Sequence, residues 1–162
     1  MVNAAGHSPA PTEEEIAAFQ RATRDLIGVA LHSLDAAGDG VSLPQMRVLL
    51  ALADLGRCPS SKVAQTLGLG ASSVTRLADR LIASGHVVRG GDPQHRSVVT
   101  LELSENGRQL VDRVLAWRYR ELERLLSPID PVLRAHAAEA LGQMHAAAGD
   151  AYATELPGPV PL

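Results

Sequence analysis

At Gly85 the hydrophobic period of the chain changes. Upstream, Val74, Leu77, Ala78, Leu81 and Ile82 recur at i, i+3, i+4, i+7 and i+8, the stripe of a single helix face. Downstream, His86-Val87-Val88-Arg89 and the run from Ser97 to Leu103 read as two strands, separated by the turn formers Gly90-Gly91-Asp92-Pro93-Gln94-His95. A helix that stops on a glycine and runs straight into a hairpin leaves few architectures open. Ahead of it, Ser60 or Ser61 is expected to cap a short helix holding Val63, Ala64 and Leu67 and closed by Gly68. Leu67-Gly68-Leu69-Gly70 joins that helix to the one opening at Gly70-Ala71-Ser72. A short helix, a glycine-containing turn and a second amphipathic helix make a helix-turn-helix, and the hairpin after it is a wing.

The flanks are helical. Thr12 and Glu15 form a capping box ahead of Ile16, Phe19, Thr23, Leu26, Ile27, Ala30, Leu31 and Leu34, a helical series that Gly38 and Gly40 end. Ser42 and Gln45 open a second helix with Met46, Leu49, Leu50 and Ala53 as its buried stripe and Gly56 as its stop. Ser104 caps a long helix to about Leu126, Ser127-Pro128 breaks it, and Asp130-Pro131 opens an Ala-rich helix to about Gly149. The expected class is mainly α, a winged helix-turn-helix lobe with a helical dimerisation domain drawn from both chain ends. Residues 1–11 read as a disordered arm, 12–37 and 104–150 as dimerisation helices, 42–103 as the lobe (helix-turn-helix 60–85, wing 86–103) and 151–162 as a flexible tail. Wide stripes such as Leu26, Ile27 and Leu31, Leu110, Val114 and Leu122, and Leu133, Leu141 and Met144 exceed what a 162-residue monomer could cover, which predicts a homodimer.

Composition excludes several classes. No apolar run approaches the ~18 residues of a membrane span, and the N-terminus shows no signal-peptide pattern. One cysteine allows neither an intrachain disulfide framework nor a Cys-rich zinc module, and a cytoplasmic location is expected. Aromatics are 2% of the chain, too few for the stacking platforms of single-strand binders. The net charge of −3 conceals an asymmetry. Arg57 to Arg96 holds six basic residues (Arg57, Lys62, Arg76, Arg80, Arg89, Arg96) against Asp79 and Asp92, a net +4; the remainder has nine basic and sixteen acidic residues, a net −7. A basic segment on an acidic scaffold suggests a local basic face for a polyanion, and chance clustering on a solvated surface is the competing reading of the charge alone.

With its apolar stripe inward, the helix from Gly70 turns Ser72, Ser73, Thr75, Arg76, Asp79 and Arg80 outward. Hydroxyls near a helix N-terminus with guanidiniums beyond them are the chemistry of a major-groove reader. The competing reading is a solubilising face on which Arg76 merely pairs with Asp79. Other constellations carry little. Gly68-Leu69-Gly70 follows no strand and has no third glycine, so it is no dinucleotide fingerprint. No G-x-S-x-G, H-E-x-x-H or P-loop occurs, and no two of the six histidines are spaced i, i+4. No enzyme, metal or cofactor is expected. Cys58 beside Pro59 falls in the loop after the second helix, where a small unreactive residue is the simpler reading.

These motifs together resemble the MarR family of winged helix-turn-helix transcriptional regulators. The resemblance rests on Leu43 to Leu49, on Ser60 to Gly68, on Ala71-Ser72-Ser73-Val74-Thr75-Arg76-Leu77-Ala78-Asp79-Arg80-Leu81-Ile82-Ala83-Ser84-Gly85-His86-Val87-Val88-Arg89, on Asp92-Pro93-Gln94-His95-Arg96, and on Val99 to Gly107. It implies an obligate homodimer whose first and last two helices interlock and whose two reading helices and wings grip a palindromic double-stranded operator. It assigns Ser72, Ser73, Thr75 and Arg76 to bases and phosphates and Arg80 to a phosphate. Ser60 and Lys62 join them at the DNA. Arg89 and Asp92 shape the wing base, with His95 and Arg96 near its tip. The wing departs from the family's usual Asp-Pro-x-Asp-Arg-Arg, since His95 and Ser97 stand where a second acid and a second arginine are common. The implied function is a sequence-specific repressor released by a small phenolic or anionic effector, with His32, Arg47, Met46 and Trp117 as conceivable lining residues. The alternatives are an oxidant-sensing regulator acting through Cys58 and a winged-helix module that binds protein instead of DNA.

Overall fold

The computed structural model describes residues 9–38, 40–91 and 98–152. The order is α1 (Glu13–Ala37), α2 (Leu43–Leu55), β1 (Cys58–Pro59), α3 (Ser60–Leu67), α4 (Ala71–Ala83), β2 (Val87–Gly91), β3 (Val99–Leu103), α5 (Glu105–Leu126) and α6 (Pro131–Tyr152). The expected winged helix-turn-helix is present, embedded in helices from both ends.

The helix starts follow local chemistry. Thr12 N and Oγ1 donate to Glu15 Oε2 at 2.7 and 2.9 Å while Glu15 N donates back to Thr12 Oγ1, a reciprocal capping box. Ser42 N donates to Gln45 Oε1 at 2.9 Å at the head of α2. Asp130 Oδ1 accepts from the N–H groups of Val132 and Leu133, capping α6. At α3 the structure differs from expectation: Pro59, not Ser60 or Ser61, is the N-cap, and no side chain caps the helix. The reason is β1. Cys58 and Pro59 pair with Leu101 and Thr100, so the backbone enters α3 directly from a strand. The expected two-stranded wing is therefore a three-stranded antiparallel sheet in the order β1-β3-β2.

One core unites the lobe. Met46, Val48, Leu49 and Leu52 of α2, Val63 of α3, Val74 and Leu81 of α4, Val87 of β2 and Leu101 of β3 are fully buried, and Leu110 and Val114 of α5 join them. The α2 stripe is wider than expected, running from Met46 to Leu52 with Arg47 alone half-open, whereas Ala53 is exposed. The start of α5 is stitched to the α4–β2 turn: Ser104 N donates to His86 O at 3.0 Å, and Ser104 Oγ donates to Gly85 O and accepts from Gly107 N. A Cβ on Gly107 would run into His86 O, so only glycine lets α5 approach so closely.

Beyond the lobe the helices are bare. The α1 helix packs along α5, buries Ala30, Ser33 and Leu34, and is tied there by Arg118 Nε donating to Ser33 Oγ at 2.9 Å. Ile16, Phe19, Leu26, Ile27 and Leu31 of α1, Leu115, Tyr119, Leu125 and Leu126 of α5, and Val132, Leu133, Leu141 and Met144 of α6 remain exposed.

Candidate nucleic-acid interface

The α4 helix is strongly two-sided. Val74, Ala78 and Leu81 are buried and Leu77 and Ile82 half-buried, as the periodicity required; Ser72, Thr75, Arg76, Asp79 and Arg80 are exposed and Ser73 half-exposed. Its N-cap is Gly70, which offers no side chain to the first N–H groups. Those groups and the positive end of the helix dipole face outward beside Ser72, a favourable place for a phosphate oxygen. Thr75 Oγ1 donates to Ala71 O at 3.0 Å, so its hydrogen is committed and the oxygen is left as an acceptor beside an exposed methyl.

The pairing expected of a merely solubilising face does not occur. Asp79 Oδ1 accepts from Arg89 Nη2 on β2 at 2.6 Å, with the two side chains 55% and 46% exposed. Arg89 thus ties the wing strand to α4, while Arg76 and Arg80 make no ion pair among the described residues. Two guanidiniums with no acidic partner among the described residues lie along one helix face. A third joins them. A groove of about 380 Å³ between the start of α2 and α4 is lined by Arg47, Ser73, Arg76 and Arg80 over Leu69 and Leu77. Arg47 also donates to Leu67 O at 3.4 Å, at the end of α3. Sequence reasoning had Arg47 only as a conceivable effector contact; its position three residues after Pro44, on the half-open side of α2, is the signal that places it here.

Ser60 and Lys62 stand on the first turn of α3, which packs against α4, and both are half-exposed. Asp92, His95 and Arg96 lie outside the described residues. Met46 is wholly buried in the lobe core and cannot line a surface crevice, which corrects its inclusion among effector contacts. His32 is exposed with Nδ1 2.8 Å from Gly28 O, and Trp117 is half-buried on α5. Cys58 is not in a loop but in β1, and it is buried. Burial pushes its thiol pKa up, and the charge of Lys62, a neighbour the sequence did not reveal, only partly opposes this. No group of three or more His, Cys, Asp or Glu that could hold a metal occurs among the described residues.

Residues 39–96, from the approach to α2 through the wing, match the sequence model of the MarR family. The chain is 33% identical over 91 residues to YfiV, an uncharacterized HTH-type transcriptional regulator of Bacillus subtilis, covering 56% of the chain and 57% of YfiV. It is also 33% identical over 88 residues to the B. subtilis HTH-type transcriptional repressor MdtR, covering 54% and 57% of the two chains. The chain therefore spans a little over half the length of the curated relatives it matches. Among solved structures it resembles RV1404 from Mycobacterium tuberculosis, with a TM-score of 0.81, 26% identity, and 88% and 99% of the two chains covered. The relatives' names are those of regulators, not of enzymes. No helix among the described residues is long and apolar enough to cross a membrane.

Proposed function

We propose that the protein is a dimeric, sequence-specific double-stranded DNA-binding repressor that uses α4 to read the major groove. One observation carries this reading: Asp79 is taken by Arg89, so Arg76 and Arg80 project from α4 beside Ser72, Ser73 and Thr75 without a neutralising acid among the described residues. An arginine in that setting can be bidentate to guanine O6 and N7, and the open N-terminus of α4 suits a phosphate. Arg80, Arg47, Ser60 and Lys62 supply backbone contacts, and the family resemblance adds Asp92, His95 and Arg96, outside the described residues, as further DNA contacts. A protein-binding winged helix would present an apolar outward face on α4, and this face is hydroxyl and guanidinium. The relatives' description as HTH-type regulators supports the reading, and MdtR's as a repressor supports the sign of control. Release by a small phenolic or anionic effector is the form of regulation the family resemblance suggests.

Selection of bound duplexes from a random library is the primary test, with a palindrome of half-sites one helical turn apart expected. Arg76→Ala should then cost on the order of 1–3 kcal/mol per half-site and blur one symmetric base pair. Equal loss on matched and random duplexes would make α4 a phosphate clamp and defeat the assignment of base readout.

A further inference from the structure

The wing sheet is held from both of its faces. On the face shared by Val87, Arg89, Leu101 and Leu103, the Arg89–Asp79 pair ties β2 to α4. On the opposite face, shared by Gly90 and Thr100, the hold comes from Arg57, the residue immediately before β1. Its Nε donates to Thr100 Oγ1 on β3 at 3.3 Å, and its Nη2 donates to Gly91 O at the end of β2 at 2.6 Å. Because the strand order is β1-β3-β2, this one side chain straps the whole width of the sheet. Thr100 is only 5% exposed beneath it.

The sequence makes room for the strap. A Cβ on Gly90 would stand 2.9 Å from Arg57 Nη2 and 3.0 Å from Thr100 Oγ1, inside the space the guanidinium occupies. Gly90 has no positive φ to explain it, so the requirement is steric rather than conformational. The arrangement is also directional. Arg57 turns its Nε and one Nη hydrogen inward onto the sheet, which leaves only its remaining Nη hydrogens for any outside partner.

We infer that Arg57 is a positioning residue: it fixes the end of β2 relative to β3 and α2, so that wing and α4 meet DNA as one rigid surface, and it does so from a segment whose positive charges otherwise read as DNA contacts. This rests on the DNA-binding reading above, but its physical core, the strap, is testable without DNA.

The experiment compares the full-length protein with Arg57→Met, Arg57→Lys and Gly90→Ala. In hydrogen–deuterium exchange without DNA, all three variants should exchange faster at residues 89–91 and 99–101 while α4 is unchanged; exchange equal to the parent's would overturn the strap. In binding to the selected duplex, Arg57→Met and Gly90→Ala should each lose roughly three- to ten-fold in affinity, the worth of one or two ordinary hydrogen bonds. Arg57→Lys, which keeps the charge but not the fork, should lose as much as Arg57→Met. The dependence of log affinity on log salt should keep the parent slope in every variant. If Arg57→Lys instead restores affinity and Arg57→Met flattens the slope by about one unit, Arg57 is a phosphate contact and the inference fails. Should the parent select no duplex, the DNA reading falls, and the exchange arm still decides whether Arg57 holds the sheet.

Discussion

Single residues in this protein divide by whether their chemistry is spent inside the fold. Arg76 and Arg80 have no partner among the described residues; Arg57 and Arg89, equally basic in sequence, are spent on Gly91, Thr100 and Asp79. Cys58 makes the same point for reactivity. A peroxide-sensing thiol must be a thiolate at neutral pH and within reach of solvent, and Cys58 is buried in β1 with its pKa raised by that burial. Oxidation of Cys58 by micromolar peroxide, followed by intact-mass spectrometry, is expected to be slower than that of free cysteine. Cys58→Ser should bind DNA like the parent before and after treatment. Peroxide that released the parent but not the variant would reinstate the oxidant-sensing alternative.

At the scale of elements, the decisive junction is between α5 and the α4–β2 turn. Ser104 holds three hydrogen bonds there, and Gly107 lies directly on the carbonyl of His86. The joint matters because α5 leaves the lobe from it: Leu110 and Val114 are in the lobe core, while Leu115 and Tyr119, one and five residues further on, are exposed. Helix α5 thus begins in the lobe core and continues past it as one unbroken helix. Gly107→Ala must push α5 off β2 or strain the turn, at a cost on the order of 1–3 kcal/mol. Its urea midpoint should fall accordingly with the slope unchanged, and coincident unfolding curves for variant and parent would contradict the close approach. A neighbouring substitution such as Gln109→Ala, on the exposed side of α5, is the control expected to leave the midpoint in place.

The molecule as a whole is a packed lobe with three helices that it does not cover. Every described side chain of α6 up to Ala147 is exposed apart from Arg134, and Val132 and Leu133 are each 61% open. So many exposed Phe, Leu, Ile, Val and Met side chains on α1, α5 and α6 are more than a soluble monomer leaves to water, and a second copy is the occupant we propose. Light scattering at micromolar concentration should give twice the 17.1 kDa of one chain. Leu133→Glu and Ile27→Glu should shift the mass toward one chain while leaving the lobe folded, as read from exchange protection of α2 and α4. A parent that scatters as 17.1 kDa would end the proposal.

The sequence by itself determined the elements and the reading face. Caps at Thr12 and Ser42, the stops at Gly56 and Gly85, the turn at Gly68 and the period change after Gly85 are all set by residues within a turn or two of one another, so local physics suffices. The outward set on α4 followed from the same periodicity. Tertiary structure alone decided the rest, because each remaining feature joins residues remote in the chain. Strand β1 is two residues, one of them proline, and exists only because β3, some forty residues on, offers its edge. Asp79 had two arginine neighbours within four residues on its own helix, yet pairs with Arg89, because α4 packs against β2 and places that guanidinium at 2.6 Å. Gly90 looked like one half of a turn and is instead the gap that Arg57 fills. Periodicity reports which side of an element is apolar; only packing decides which charges on the other side are neutralised and which remain for a partner.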